Sequence, residues 1–231
     1  MKSIVITGVT RGCGRSMTDW FIKNGHTVSG CGRSVSAIDE LKEHYTAPHY
    51  FEAVDLTSPE LVCAWAEHVV RENGVPDLLI NNAGFLHQPN LLWDIPIDEI
   101  KQTFDINVMG VTTVCHAFLP YMVEKETGVI IAFSSRAGLK GMKHLVPYCA
   151  SKWAIEGMMK SIASGLPQEM AAIPLNPTDI NTEMLQKCDV EYAKTMPSAT
   201  DWAEIAAPFI LSLNQAHNGK SITVPIPGYE L

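Results

Sequence analysis

Tyr148 and Lys152 stand four residues apart, and Ser135 lies thirteen residues before the tyrosine, just after the apolar run Val129-Ile130-Ile131-Ala132-Phe133. A phenol, an ammonium and a hydroxyl in this order are the parts of a carbonyl-reducing site. On a helix the i,i+4 spacing puts Tyr148 and Lys152 on one face. A free phenol titrates near about 10, too high for efficient proton exchange at neutrality, and a neighbouring cation lowers it by favouring the phenolate. The sequence therefore predicts that Lys152 lowers the Tyr148 pKa, that Tyr148 exchanges the proton and that Ser135 holds the substrate oxygen. A tyrosine four residues before a lysine is also met as a core tyrosine beside a solvated lysine, so the pair needs independent support.

That support comes from the start of the chain, where Ile4-Val5-Ile6 runs directly into Thr7-Gly8-Val9-Thr10-Arg11-Gly12-Cys13-Gly14. A β-branched strand here meets a glycine-rich turn. Met17, Trp20, Phe21 and Ile22 follow at near-helical spacing, so the turn opens a helix whose first amides face a pyrophosphate. Gly8, Thr10, Arg11, Gly12, Cys13 and Gly14 are the candidate phosphate-loop residues.

The elements that must position these groups alternate along the chain. Strand-like runs cover 2–7, 27–31, 50–54, 77–81, 128–133, 171–176 and 221–224, and helical patterns cover 13–24, 35–45, 58–73, 97–124 with a break, 147–166 and 199–213. Such alternation predicts an α/β chain: a three-layer, doubly wound parallel sheet with right-handed crossovers. Ligands of that architecture bind at the carboxyl ends of the strands, where this chain places Gly8, Arg33, Asp55, Asn82, Ser135 and Pro177. With 231 residues, 46% of them hydrophobic, and no linker-like break, residues 1–231 are expected to form one domain.

Taken together, these residues resemble the short-chain dehydrogenase/reductase family over nearly the whole chain. The matching motifs are TGxxxGxG at Thr7 to Gly14, Asp55-Leu56, NNAG at Asn81 to Gly84, Asn107, Ser134-Ser135, and YxxxK at Tyr148 and Lys152. The wording of 147–157 and 181–185 is most similar to the NADPH-dependent pterin aldehyde reductase-like members. The resemblance implies a Rossmann fold and an NAD(P)-dependent oxidoreductase. It also implies catalytic roles for Asn107, Ser135, Tyr148 and Lys152, with Asn107 interrupting a helix and holding a water in a proton relay to Lys152. Asp55 and the Leu56 amide would meet adenine, and Asn82, Ala83 and Gly84 the adenosine ribose. Tyr148 and Lys152 would also touch the cofactor, and Ile180 and Thr182 would hold the nicotinamide carboxamide. By the same resemblance the helical stretches 97–124 and 147–166 would build a homodimer or homotetramer.

Cofactor choice rests on the end of the second strand. The position that carries an acid in NAD-preferring sites is Gly32, followed by Arg33, and Arg11 sits in the first loop. Two guanidiniums could clamp a 2′-phosphate, so NADP(H) is expected over NAD(H). Two positions depart from the family pattern. Thr178 follows Pro177 where glycine is usual, and the expectation is that the loop shifts rather than force a β-branched residue to positive φ. Cys13 replaces an aliphatic residue and would put an oxidisable thiol near the cofactor.

Substrate loops are expected near 85–96, 136–146 and 183–198. Phe85, Leu86, Trp93, Met142, Leu145, Met184 and Leu185 would give an apolar pocket for an aromatic or bicyclic carbonyl, with Arg136, His87 and Gln88 as polar contacts; each is equally consistent with ordinary packing or solvation. A net charge of −8 argues against nucleic acid or anionic membranes as partners, leaving a small-molecule carbonyl or alcohol. No apolar run of eighteen residues occurs, 1–10 reads as a strand rather than a leader, and the expected location is cytoplasmic. The cysteines at 13, 31, 63, 115, 149 and 188 show no CxxC pair and no metal-ligand spacing, so reduced thiols and no metal are expected. Two other readings stay open: an NAD-linked alcohol dehydrogenase, and a dinucleotide-binding sensor without catalysis.

Overall fold

The computed structural model describes residues 1–229. Seven strands, β1 (Ser3–Thr7), β2 (Thr27–Gly32), β3 (Tyr50–Ala53), β4 (Leu78–Asn81), β5 (Gly128–Phe133), β6 (Met170–Asn176) and β7 (Ile222–Thr223), form one sheet in the order β3-β2-β1-β4-β5-β6-β7. Every pairing is parallel. Between them run α1 (Gly12–Lys23), α2 (Val35–His44), α3 (Pro59–Asn73), α4 (Ile97–Phe104), α5 (Val111–Glu124), α6 (Val146–Gly165), α7 (Glu183–Gln186), α8 (Val190–Lys194) and α9 (Ala199–Ser212). This is the doubly wound fold expected from the alternation. The chain winds outward one way through β2 and β3, then returns to place β4 beside β1, and that reversal opens a crevice at the strand ends.

Both faces of the sheet are buried, as parallel strands require. Along β1, Ile4 and Ile6 enter a core with Phe21 of α1 and Trp202 of α9, while Val5 points to the other core, with Trp65 of α3 and Phe118 of α5. Alternation in β5 does the same: Val129, Ile131 and Phe133 face the first core, Ile130 and Ala132 the second. Helix α6 closes the second layer through Ile155 and Met159.

The predicted break in the 97–124 helix is a π-helical segment, Asp105–Gly110, an extra residue of the kind that re-aims a side chain at a functional site. By length and hydropathy, 1.4 over eighteen residues, the continuous helix could cross a membrane. Here its apolar side serves the core, with Val111, Val114, Phe118 and Met122 buried against α3 and the sheet.

Two expectations are corrected. The 183–198 segment is not only loop: Thr182 caps α7, accepting from the Leu185 amide, and Asp189 caps α8, accepting from the Tyr192 amide, signals readable as N-caps. The loop after β6 does not shift to spare Thr178. That residue adopts φ +74°, its hydroxyl is buried without a partner, and neighbours fix it on both sides. Its N–H donates to Asn176 Oδ1 at 3.2 Å, and the Trp202 indole donates to Pro177 O at 2.8 Å. Left-handed backbone costs a β-branched residue about 1–2 kcal/mol. Thr178→Gly is therefore expected to stabilise the fold by about 1 kcal/mol after the extra chain entropy of glycine is subtracted, read as a higher urea midpoint at unchanged slope.

Candidate active site

A cavity of about 600 Å³ runs along the carboxyl ends of the strands. Gly8, Arg33, Asp55, Asn82, Ser135 and Pro177, each taken from a different strand end, all line it. At one end it is walled by the first glycine loop. Gly8 and Gly12 adopt φ +77° and +56°, and a Cβ on Gly14 would stand 2.1 Å from Gly8 O and 2.5 Å from Asn82 Nδ2. Side chains are thus excluded where the backbone must turn and approach a ligand. The strand end is cross-tied to β4. The Thr7 hydroxyl accepts from the Asn82 and Ala83 amides, both at 3.1 Å, and Asn82 Nδ2 donates to Thr7 O and Gly8 O.

Thr10, Arg11, Gly12, Cys13, Leu56, Ala83, Gly84, Ile180 and Thr182 complete the predicted cofactor lining. Gly14 and Asn107 are not on the cavity wall. Gly14 permits the close packing just described. Asn107 is fully buried, and its amide accepts from the Phe85 N–H at 2.7 Å and donates to Phe85 O at 2.9 Å and to the Ser151 hydroxyl at 3.1 Å. Ser151 in turn donates to Tyr148 O at 2.7 Å. Asn107 is thus a strut between the loop after β4 and the first turns of α6. Asp55 accepts from the Thr57 amide and hydroxyl, which fixes its carboxylate on the cavity wall. The partly buried Cys13 thiol packs against the first core, and burial pushes it up to about 12, which disfavours the thiolate through which an oxidisable thiol would react. Arg11 forms an ion pair with Glu183 across the cleft, which leaves Arg33 as the lining guanidinium outside any ion pair among the described residues.

Helix α6 brings Tyr148 and Lys152 to the cavity, and Ser135 enters from the end of β5. The Ser135 hydroxyl, which accepts from the Ala137 amide at 3.1 Å, lines the cavity with the Tyr148 phenol. Lys152 is 5% exposed; its Nζ donates to Phe133 O at 2.6 Å and lies over the Tyr148 ring, 5.5 Å from the centroid. Burial pushes the lysine down to about 8. Burial also pushes the phenol up, against the lowering influence of Ser135, with Cys188, Cys149 and Asp179 adding to the rise. This corrects the expected electrostatics. The ammonium sits at the ring face and a backbone carbonyl, and desolvation dominates both groups. Beside Ser135, the Ser134 hydroxyl donates to the buried Glu156 at 2.6 Å, a support that the sequence does not reveal because Glu156 reads as a surface helix position.

Of the expected substrate contacts, Phe85, Leu86, Arg136, Met142, Leu145, Met184 and Leu185 line the cavity. Trp93 is 79% exposed and points elsewhere. His87 is buried with Nε2 against His144 O, and Gln88 donates its N–H to Glu99. Asp179, Cys188, Asp189 and Tyr192 join the lining instead. All six cysteines are free, and no metal-ligating cluster occurs among the described residues.

A glycine-walled crevice at the switch point of a parallel sheet, ending at a serine, a tyrosine and a lysine, defines a dinucleotide-dependent oxidoreductase. The family profile "short chain dehydrogenase" matches residues 2–193, and the chain belongs to that family of NAD(P)-dependent oxidoreductases, which act on small molecules. It is 37% identical over 225 residues to an NADPH-dependent pterin aldehyde reductase of Arabidopsis thaliana, covering 96% of this chain and 93% of the relative. Among solved structures, a 3-ketoacyl-(acyl-carrier-protein) reductase from Brucella melitensis complexed with NADH superposes with TM-score 0.88 at 24% identity, covering 96% of each chain. ElxO with NADP bound superposes with TM-score 0.85 at 23% identity, covering 97% of each chain.

Because the folded lysine titrates near 8 and the unfolded one near 10.5, the unfolded state binds more protons between these values. Relative to Lys152→Met, the wild-type chain should gain unfolding free energy as pH rises from 8 to 10, by about 1.4 kcal/mol per pH unit at most. Urea titrations of both chains across that range measure it.

Proposed function

We propose that the chain reduces an aldehyde or ketone with NADPH, Tyr148 acting as general acid. The observation that carries this reading is the convergence of Ser135, Tyr148 and Lys152 on one cavity, with the buried Lys152 ammonium over the tyrosine ring. Bound NADPH would supply the hydride to the carbonyl carbon. As charge builds on the carbonyl oxygen, Ser135 donates to it and Tyr148 delivers the proton. The charge of Lys152 over the ring face offsets part of what burial costs the tyrosinate left behind, and by resemblance Lys152 also reaches the nicotinamide ribose. Asn107 holds α6 in place to do so.

NADP(H) preference is supported by the second strand end. A Cβ on Gly32 would lie 2.6 Å from Thr10 Cγ2, so an acidic side chain there would first have to displace Thr10, and Arg33 follows at the cavity edge. The 37% identical relative is named for NADPH and for a pterin aldehyde, which makes a pterin aldehyde, or another aromatic or bicyclic carbonyl, the preferred substrate candidate. A homodimer or homotetramer is proposed through the faces carrying exposed Met109 and Trp153.

Tyr148→Phe is expected to lower kcat by about 10²–10⁴-fold while NADPH still binds, as followed by nucleotide fluorescence; tight binding with no carbonyl turnover in the wild type would favour the sensor instead. Arg33→Ala should weaken NADPH by about 10-fold and leave NADH binding unchanged; the opposite ranking would favour the NAD-linked alcohol dehydrogenase.

A further inference from the structure

Among its apolar lining residues the cavity carries one charged pair outside the Tyr148–Lys152 centre that nothing above has used. Arg136 Nη2 stands 3.0 Å from Asp179 Oδ2, with the two side chains 24% and 16% exposed. Tyr192 completes the cluster, its hydroxyl donating to the same Oδ2 at 2.9 Å. The pair follows directly on the chemistry, since Arg136 succeeds Ser135 and Asp179 succeeds the strained Thr178. The same cavity is lined by Met142, Leu145 and Met184. A largely desolvated ion pair adds little to stability over an apolar pair of equal volume, so its presence here calls for a ligand.

The hydrogen-bond inventory says which ligand. A carboxylate offers about two lone pairs on each oxygen. Arg136 and Tyr192 occupy those of Oδ2, and Oδ1 has no partner among the described residues. The guanidinium keeps N–H donors beyond the one given to Asp179. Side by side, then, stand a charged acceptor and a charged donor. Their complement is the edge of a ring lactam, N–H beside C=O. An amino group on the next carbon would use the second lone pair of Oδ1.

We propose that Arg136 and Asp179 form a specificity subsite that selects carbonyl compounds built on a lactam-edged heterocycle, with the 2-amino-4-oxo ring of a pterin as the chemistry that fits; this rests on the carbonyl-reductase reading. The N–H and amino donors meet Asp179 Oδ1, and the ring carbonyl meets Arg136. A carbocyclic aldehyde of equal size leaves both charges unanswered in an apolar pocket, which is how a hydrogen-bonding site rejects the analogue that lacks the group.

The test is the ratio of kcat/KM for 6-formylpterin to that for 2-naphthaldehyde. Asp179 also raises the Tyr148 phenol, but that influence acts on both substrates and cancels in the ratio. Asp179→Asn keeps the shape of the pair, and the double variant Arg136→Met/Asp179→Leu replaces it by apolar volume so that neither charge is stranded. The ratio is expected to fall by about 10- to 100-fold in both variants. An unchanged ratio, or a wild-type preference for 2-naphthaldehyde, overturns the subsite. Binding of pterin itself, followed by its fluorescence anisotropy, separates the two claims. If the wild type reduces neither aldehyde yet binds pterin, and the double variant does not, the subsite stands and the reductase reading falls; if pterin does not bind either, both fall.

Discussion

A buried lysine, Lys152, 5% exposed as a residue, is the constraint on which the rest of the structure depends. Burying a cation costs several kcal/mol unless hydrogen bonds replace its water. Lys152 finds its acceptor in Phe133 O because β5 outruns its neighbour: β4 pairs only as far as Asn81 with Ala132, so the next carbonyl is free of the ladder on that side. The tyrosine ring supplies the second surface, as a cation over its face. For both contacts to hold, α6 must keep its azimuth and height against the sheet. Ile155 and Met159 hold its far side in the core, and the chain of bonds from Phe85 through Asn107 and Ser151 to Tyr148 O holds its first turns.

The glycine loop obeys a different limit, distance. Gly14 is pressed under Gly8 O, and Gly32 faces Thr10. At Gly14 the obstacle is backbone, which cannot yield; at Gly32 it is the end of the Thr10 side chain, which a substituent would have to displace.

Elements were legible wherever one local signal sufficed. Short apolar runs alternating with helical patterns marked all seven strands, and the small discrepancies fall at element ends, where fraying makes the boundary ill-defined. The spacing of Ser135, Tyr148 and Lys152 likewise picked out three residues that line one cavity. What escaped was set by contacts distant in sequence. Thr178 keeps its positive φ because Asn176 and Trp202 hold the turn from both sides, and a single chain of letters does not show that grip. His87 and Trp93 look alike as loop residues, yet one is buried and the other is exposed. Asp179 gave no signal because a carboxylate after a turn is ordinarily solvated; only its meeting with Arg136 and Tyr192 makes it part of the pocket. The sign of the Tyr148 shift was missed for the same reason, since spacing reveals a nearby cation but not the loss of water around it.

The π-helical segment at 105–110 accommodates one residue more than a regular helix would. An α-helix advances by about 100° per residue, and the extra residue lets Asn107 face α6 while Val114 and Phe118, further along, still face the core. The segment therefore takes up one residue without passing the change on to its flanks. Removing one residue from it would regularise the helix and leave Phe118 in its edge-on contact with Trp65, while Asn107 would be drawn back into an ordinary turn and lose its bond to Ser151. A one-residue deletion at 105–110 should thus spare the core and loosen the first turns of α6, separating the stability of the fold from the alignment of its cavity.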